Sequence, residues 1–520
     1  MDETKSKQLL NDLLRESKLS KKADIELLTK AFEFSQKAHE GQNRLSGDPY
    51  FVHPYEAAKI LASIGSDPKT IATGLLHDTV EDAGVSKEDL EKEFGKEITF
   101  LVEGVTKLGK LKYRGAKRHS ESLRKLFVAM SQDIRVIVVK LADRLANMHT
   151  LQFVPKEKQR RIAEETMEIY APIAYRLGIG VVKKQLEDLA FLFVMPDEYR
   201  KVKELLKLKH KDSQKKLEKI RRTLRKVLAE ENVKIIRTNY RLKGLFSLYR
   251  KLKKHDWDVD RVYDVSALRI IVNEVDDCYK VLGIIHGIWK PLPGRIKDYI
   301  ALPKINGYRS IHTTIFTGDG GVAEIQIRTE KMHMEAEFGI ASHFAYKGDA
   351  KDSQENSGLR WIAKLIPLKI NWGKENRNSN WQFGPTNTTQ IETPKWVKDL
   401  VKVQSSTDDE EMFLENIKTD FFKERVFVFT PEGDVLDLPI DSTPIDFAYA
   451  IHSDIGNHIF GSKINGKLVS LDTKLKNGDI IEIQTQKNYH PTEKWLKVVK
   501  TSTAQKQIKS ELERLKHKIR

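Results

Sequence analysis

Cysteine is nearly absent from this 520-residue chain. Cys278 stands alone, so no internal disulfide can form, and a small disulfide-stapled fold is excluded. Stability has to come from apolar packing, and a reducing, cytoplasmic setting is expected. Long hydrophobic runs are missing too. No apolar stretch approaches the ~18 residues needed to cross a bilayer, and Met1-Asp2-Glu3-Thr4-Lys5 lacks the basic-then-apolar order of a signal peptide, so neither a membrane partner nor secretion is expected. No internal repeat is present. What the chain has is charge: 90 Lys and Arg stand against 74 Asp and Glu, a formal excess of +16. The excess is local, with 13 basic against 3 acidic residues over Arg200–Lys226 and 10 against 3 over Lys487–Arg520. The rest is close to neutral, so a general nucleic-acid-binding surface is not indicated. Phosphate chemistry must rest on individually placed cations.

At this length about three to five units are expected, each large enough to bury a core. Residues 1–195 carry apolar positions at helical spacing (Ile134, Ile137, Val138, Leu141, Leu145) and read as all-helical. Pro196 opens a charged stretch to 231 in which Leu206, Leu217, Ile220, Leu224 and Val227 keep one apolar stripe, a long amphipathic helix or helical pair acting as connector. Over 232–347 short β-branched runs alternate with Pro and Gly turns, which predicts an α/β domain. Residues 348–423, with Asn371, Asn376, Asn378, Asn380 and Asn387, read as linker or insertion. Residues 424–486 predict a compact ββαβ unit: a hairpin about Pro431-Glu432-Gly433-Asp434, a helix with Thr443 as N-cap and Pro444 first, and a strand from Ile480. Residues 487–520 begin a basic helical region.

Two polar constellations carry chemistry. In the first, His77-Asp78-Thr79-Val80-Glu81-Asp82 follows an apolar helical run, and one helical turn separates His77 from Glu81 and Asp78 from Asp82. Burying four ionisable groups together is costly without a cation or an ordered network, and imidazole with carboxylates suits Mn²⁺, Fe²⁺ or Zn²⁺. His53 and Asp143 are candidates to complete the set. A lone His-Asp dipeptide is more often an ordinary helix-cap pair; the ensemble is the stronger signal.

In the second, Ala323-Glu324-Ile325-Gln326-Ile327-Arg328 alternates strictly, placing Glu324, Gln326 and Arg328 on one strand face, which alone reads as a solvated sheet face. That leaves unexplained the nearby loop Pro293-Gly294-Arg295-Ile296-Lys297-Asp298-Tyr299 and Lys304-Ile305-Asn306-Gly307-Tyr308-Arg309-Ser310-Ile311-His312, whose cations suit phosphates and whose aromatics suit a base. Asp264, at the mouth of a strand, and Glu324 are two carboxylates that can hold Mg²⁺.

The motifs around His53, His77-Asp78 and Val139-Lys140-Leu141-Ala142-Asp143-Arg144 resemble the hydrolase domain of RelA/SpoT homologues, members of the HD phosphohydrolase superfamily. Residues from about Tyr240 to Lys347 resemble their synthetase domain, and 424–486 resembles a TGS domain. The resemblance implies three folds: an all-α HD-type hydrolase, an α/β nucleotidyltransferase-like synthetase and a small β-grasp module. It implies Mn²⁺ held by His53, His77, Asp78 and Asp143, with Glu81 and Asp82 activating water, and Arg44 and Asn147 contacting guanosine. In the synthetase it implies Arg241 and Arg269 about the adenine of ATP, and Lys243, Ser247 and Lys251 near its phosphates. Asp264 would bind Mg²⁺ and Glu324 would complete that site or take the acceptor proton. Tyr308 would stack on guanine with Lys304, Asn306 and His312 around the acceptor. Arg295 and Lys297 form the basic version of a loop seen in bifunctional members, implying that GDP is accepted at least as well as GTP. His333, Glu337, His343, Tyr346 and Lys347 fit the family's closing motif, although His333 alone reads as a helix-surface histidine. His452 matches a position associated with the acceptor end of uncharged tRNA.

Leu45, Ala146 and His149 depart from the family's usual Lys, His and Arg, which bears on nucleotide affinity. Relatives continue into further regulatory domains, so a shortened chain is expected. The implied function is bifunctional: pyrophosphate transfer from ATP to the 3′ position of GDP or GTP, and hydrolysis of the (p)ppGpp formed, with Pro196–Glu231 coupling the two sites. The alternatives are a tRNA- or ribosome-sensing regulator with little catalysis, which predicts broken ligand sets, and a general HD nucleotidase, which leaves the 295–312 loop without a role.

Overall fold

The computed structural model describes residues 2–109, 132–262, 264–304, 306–318, 321–341 and 425–519. They form two compact units, one ending at Ala341 and one running from Arg425. His343, Tyr346, Lys347 and the 348–423 segment with its Asn-rich stretch lie outside the described residues.

The first unit begins with helices α1 (Glu3–Ser17), α2 (Lys22–Ala38), α3 (Val52–Ser63), α4 (Pro68–Leu76), α5 (Thr79–Asp82), α6 (Lys87–Gly109) and α7 (Ile134–His149). Then come α8 (Lys156–Glu165), a π-helical turn over Thr166–Tyr170, α9 (Ala171–Arg176) and α10 (Gly180–Val194). Helix α4 starts where Asp67 accepts the Lys69 and Thr70 N–H groups and Pro68 supplies a preset φ. It stops at Leu76. The expected continuous helix through His77 is broken: His77 and Asp78 form a turn before α5. Helix α7 buries Val136, Ile137, Val139 and Leu141, and carries Asp143 among them.

Helix α11 (Pro196–Glu230) is one 35-residue helix. Its stripe of Leu217, Ile220, Leu224 and Leu228 is buried in one core with Leu268, Ile270, Val281, Ile285, Ile325 and Ile327. Each such side chain stabilises by roughly 1.5–3 kcal/mol, so the charged helix is part of the next domain's core. That domain adds β1 (Ile235–Leu242), α12 (Leu245–Lys254), β2 (Ser266–Val272), α13 (Val275–Ile288), β3 (Lys297–Asp298), β4 (Ile311–Phe316), β5 (Val322–Thr329) and α14 (Glu330–Phe338). The sheet order is β1-β2-β5-β4-β3; only β2 and β5 pair in parallel. The C-terminal half of α11 and helix α13 cover the apolar face.

Helix α10 packs on α7 and α8 on one side and on α12 and α14 on the other. The backbones close up here: a Cβ on Gly339 would lie 2.2 Å from the Leu177 carbonyl oxygen, and one on Gly180 would lie 2.6 Å from that of Ala336. Gly178, at φ +75, would bring a Cβ within 3.0 Å of the Asn306 carbonyl oxygen. Only glycine permits this approach. Lys184 Nζ donates to the Leu242 carbonyl (3.3 Å), and Asp188 Oδ1 accepts the Phe246 N–H (3.0 Å) at the start of α12.

The second unit holds the hairpin β6 (Arg425–Phe429) and β7 (Val435–Pro439), then α15 (Pro444–Ile451) and α16 (Ser453–Asn457). A second sheet follows, from β8 (Ile459–Ile464), β9 (Lys467–Val469) and β10 (Ile481–Thr485), in the order β10-β8-β9. Strands β8 and β9 are additional to the expected ββαβ pattern; their signal was the Asn465-Gly466 pair, both at positive φ, the composition of a type I′ hairpin. Helices α17 (Trp495–Val498) and α18 (Ser502–Ile519) place Trp495, Val499, Ala504 and Ile508 in the core with Ile445 and Tyr449, so the basic tail belongs to this unit's packing. Asp446, fully buried, ties it down: Oδ2 accepts from Thr443 N (2.9 Å) and Oγ1 (3.0 Å), and Oδ1 accepts from Lys500 N (2.8 Å), Thr501 N (2.7 Å) and Thr501 Oγ1 (2.9 Å). Asp446→Ala strands buried N–H donors and removes a capping box, and should destabilise this unit by about 3 kcal/mol. Hydrogen exchange should show amides 500–508 losing protection; unchanged protection would contradict this role.

Candidate active sites

The first site sits where α3, the α4–α5 turn and α7 converge. His53, His77 and Asp143 are buried, and their ligand atoms all lie within 4.8 Å of one another. His53 Nε2 is 3.2 Å from Asp143 Oδ1 and 3.4 Å from Asp78 Oδ2; His77 Nε2 is 3.1 Å from Asp78 Oδ1. The His77 Nδ1–H donates to the Gly74 carbonyl (2.9 Å), which anchors the ring with its buried Nε2 turned to the cluster. A backbone-anchored imidazole facing two carboxylates is the donor set of a divalent cation site. Burial would lower the His77 pKa, but Asp78 and Asp143 push it up to about 9. A second layer follows: Lys140 Nζ donates to Asp143 Oδ2 (2.7 Å), Asn147 Nδ2 to Asp143 Oδ1 (2.6 Å) and Arg44 Nη2 to Asn147 Oδ1 (2.9 Å). Asp82 is reached through the Tyr50 hydroxyl (2.6 Å), and Glu81 is exposed beside it. Sequence reasoning gave Lys140 and Tyr50 no role, although both lie in motifs that it singled out.

The second site is a cleft of about 320 Å³ above the polar face of the five-stranded sheet. Register builds it. Thr314, Glu324, Ala267 and Arg241 form one cross-strand row, and Lys297, His312, Gln326, Arg269 and Asn239 form the next. The alternative of a solvated sheet face does not hold: Glu324, Gln326 and Arg328 are 7%, 3% and 1% exposed. Asp264 is held by Lys243 Nζ and Lys251 Nζ, both on Oδ2. Burial would raise its carboxyl, but the two ammonium groups pull it down to about 2. Arg295, Lys297, Lys304 and His312 also line the cleft, as do His255 and Arg261, which sequence reasoning missed. Ser247 is half-buried on α12, between Lys243 and Lys251. Asn306 takes the Tyr308 N–H on its side-chain oxygen (3.3 Å).

A relay runs through the floor. The Tyr308 hydroxyl donates to His312 Nε2 (2.7 Å), His312 Nδ1 lies 3.1 Å from Glu324 Oε1, and Gln326 Nε2 donates to the same carboxylate oxygen (2.8 Å). Burial alone would raise Glu324, yet these contacts hold it below the usual carboxylate range, leaving it a proton acceptor. Behind lies a buried cluster. Arg269 Nη1 (3.1 Å) and Arg328 Nη2 (3.0 Å) meet Glu337 Oε1, and Arg328 also donates to His333 Nδ1 (2.8 Å). His333 is therefore not a surface residue: it is 8% exposed, and burial beside Arg328 and Arg269 pushes its pKa down to about 4. Lys304 Nζ sits over the Tyr299 and Tyr308 rings (4.5 and 5.0 Å).

Three family models match this chain. Residues 31–180 match the HD domain model, 240–351 the region found in RelA/SpoT proteins, and 426–485 the TGS domain. A GTP pyrophosphokinase of Myxococcus xanthus is 44% identical over 94% of this chain and 60% of its own length. The bifunctional (p)ppGpp synthase/hydrolase SpoT of Escherichia coli is 40% identical over 95% of this chain and 65% of its own length. The chain thus spans less than two thirds of these relatives. Small alarmone synthetase 2 of Bacillus subtilis overlaps 29% of this chain at 27% identity with a TM-score of 0.23, too slight to bear on the fold.

Burial, aided by Arg241 and Lys297, lowers the Lys304 pKa to about 8, so its charge is present below pH 8 and lost above it. Sulfate, whose charge is fixed over this range, should bind the cleft several-fold more weakly at pH 9 than at pH 7 by calorimetry, and Lys304→Arg should retain more affinity at pH 9. A pH-independent sulfate affinity would contradict this.

Proposed function

From the matches to the HD domain and to the region found in RelA/SpoT proteins, we propose that this chain is a RelA/SpoT family member that makes (p)ppGpp from ATP and GDP or GTP at the second site and hydrolyses it at the first. The observation that carries the reading is the presence, in one compact unit, of two separate buried polar clusters of complementary chemistry: a His/Asp cation site and a carboxylate-bearing, cation-rimmed cleft.

At the first site His53, His77, Asp78 and Asp143 would hold Mn²⁺. Such a cation supplies Lewis acidity toward a water and a phosphoryl oxygen. Asp82, with Glu81, takes the proton as the water oxygen attacks the 3′-linked phosphorus; the bond from that phosphorus to the 3′ oxygen breaks, giving GDP or GTP and pyrophosphate. Arg44 and Asn147, hydrogen-bonded to each other and through Asn147 to Asp143, would hold the nucleotide in register with the ligand set.

At the second site two carboxylates, Asp264 and Glu324, face the cleft, and Asp264 is already engaged by two lysines. That fits Mg²⁺ arriving with ATP, because this ion typically binds through one or two carboxylates plus substrate phosphates; there it neutralises charge on the transferring group. Lys243 and Lys251 would turn to the ATP phosphates, with Ser247 beside them and Arg241 and Arg269 about adenine. Glu324 accepts the 3′-hydroxyl proton as that oxygen attacks the β-phosphorus of ATP and AMP leaves. Tyr308, Lys304, Asn306 and His312 would hold the acceptor, and Arg295 and Lys297 its 5′ phosphates.

Running both reactions together would only consume ATP, so a two-state coupling is required. The described contacts bring helix α10 into this role beside α11: it touches the helix carrying Asp143 and Asn147 and the start of α12, and the Gly178 turn just before it approaches the Asn306 backbone. In the second unit, uncharged tRNA and the ribosome are the proposed partners. His452 supports this modestly, since its Nδ1 accepts the Asp454 N–H (3.1 Å) and its other nitrogen is left to donate.

The test uses both reactions on the same preparations. Asp264→Asn should lower ppGpp synthesis at least about 100-fold with hydrolysis unchanged, and His77→Ala should do the reverse. Loss of both in either variant would contradict separate sites, and absence of both in the unmodified chain would sink the enzyme reading.

A further inference from the structure

Between α2 and α3 the chain makes a short bridged loop, Asn43 pairing with Pro49, and Tyr50 follows it. The Tyr50 N–H donates to the Gln42 carbonyl (2.9 Å). Its ring stacks on His39 at 4.8 Å and 21° and meets His53 edge-on at 6.4 Å. His39 is 2% exposed, so that face of the tyrosine is closed to a nucleotide base. The Tyr50 hydroxyl lies 2.6 Å from Asp82 Oδ2 and 3.2 Å from Asp78 Oδ2, bridging a proposed cation ligand and the proposed proton acceptor. Gln42 secures the same residue from the main chain: its Nε2 donates to the Asp82 carbonyl (2.9 Å), while its Oε1 meets His39 Nδ1 (2.9 Å). His39, Gln42 and Tyr50 thus form a closed clamp, with two grips on Asp82 and one on Asp78. Helix α5 has four residues and depends on such support, since one turn of helix is not stable alone.

We propose that Tyr50 and Gln42 are positioning residues of the hydrolase site, the hydroxyl fixing the Asp82 carboxylate toward the scissile phosphate and the Asp78 carboxylate toward the cation. The proposal rests on the hydrolase reading above. It concerns orientation: Tyr50 touches neither the reacting atoms nor the nucleotide, and the effect of removing its hydroxyl is transmitted through Asp82 and Asp78. Groups supporting a metal site in this way typically change activity or metal affinity 10–100-fold when lost.

Tyr50→Phe keeps the stack on His39 and removes only the hydroxyl. Its kcat for pyrophosphate release from ppGpp should fall about 10–100-fold with KM within twofold. The Mn²⁺ dissociation constant of the nucleotide-free chain, read by electron paramagnetic resonance, should rise several-fold. In an Asp82→Asn background the same substitution should cost clearly less further kcat than in the unmodified chain, because only the longer contact to Asp78 is then left to lose. Synthesis of ppGpp, measured on the same preparation, should be unchanged. Should Tyr50→Phe lose synthesis as well, Gln42→Ala, which leaves the ring in place, supplies the same test. Unchanged kcat, unchanged Mn²⁺ affinity, a loss confined to KM, or full additivity with Asp82→Asn would each overturn the proposal. His77→Ala separates the two levels: if it leaves hydrolysis intact the hydrolase reading fails, whereas if it abolishes hydrolysis while Tyr50→Phe behaves as wild type, only the positioning role fails.

Discussion

Burial of charge is the constraint on which the first unit depends. Asp143, His53 and His77 lie inside the helical core, and Arg269, Arg328 and Glu324 are buried on the polar face of the sheet. An isolated buried ion costs several kcal/mol, and the cost falls only when partners satisfy it. Each cluster meets this differently. The helical one leaves buried ring nitrogens facing carboxylates, which a cation satisfies; the sheet one pairs Arg269 and Arg328 with Glu337 but leaves the Nε of both arginines without a partner, and at the cleft Lys243 and Lys251 meet Asp264 while Lys304 lies over two tyrosines. The first is thus poised for a metal and the second for an anion that brings its own metal.

The two sites are built on different backbones, and one helix packs against elements of both. Helix α10 is that element, and the Leu177-Gly178 turn just before it approaches Gly339 too closely for a side chain to fit. Close backbone contact of this kind resists small adjustments and favours discrete shifts, because packed interiors repack in steps rather than deform continuously. A displacement of α10 would reach α7 on one side and the Asn306 loop and the start of α12 on the other. The charged helix α11, which the sequence pattern suggested as connector, packs its N-terminal half against Phe191 of α10 and Leu248 of α12 and its C-terminal stripe into the sheet core.

Much of this was legible in the residues, and the failures have physical causes. The His-Asp pair and the alternating Glu324-Gln326-Arg328 strand are local patterns, and local patterns survive into structure. The turn at His77-Asp78 was hidden because its dihedrals stay near helical while its side chains are pulled toward His53 and Asp143, partners remote in sequence. Burial of the polar strand face and of His333 depends on α14 folding back over β2 and β5, which alternation cannot foresee. The Tyr50 clamp was missed because its partners, His39, Gln42 and Asp82, span three elements; the β8–β9 hairpin was missed although Asn465-Gly466 announced it.

The account stands on one chain carrying out both halves of a cycle. The most direct measurement is a phosphorus NMR time course of the unmodified chain with ATP, GDP, Mg²⁺ and Mn²⁺. AMP and 3′-pyrophosphoryl guanosine resonances should grow first, followed by free pyrophosphate at the expense of ATP, with the GDP pool regenerated. Spectra in which ATP and GDP persist, and in which added ppGpp also remains intact, would contradict it.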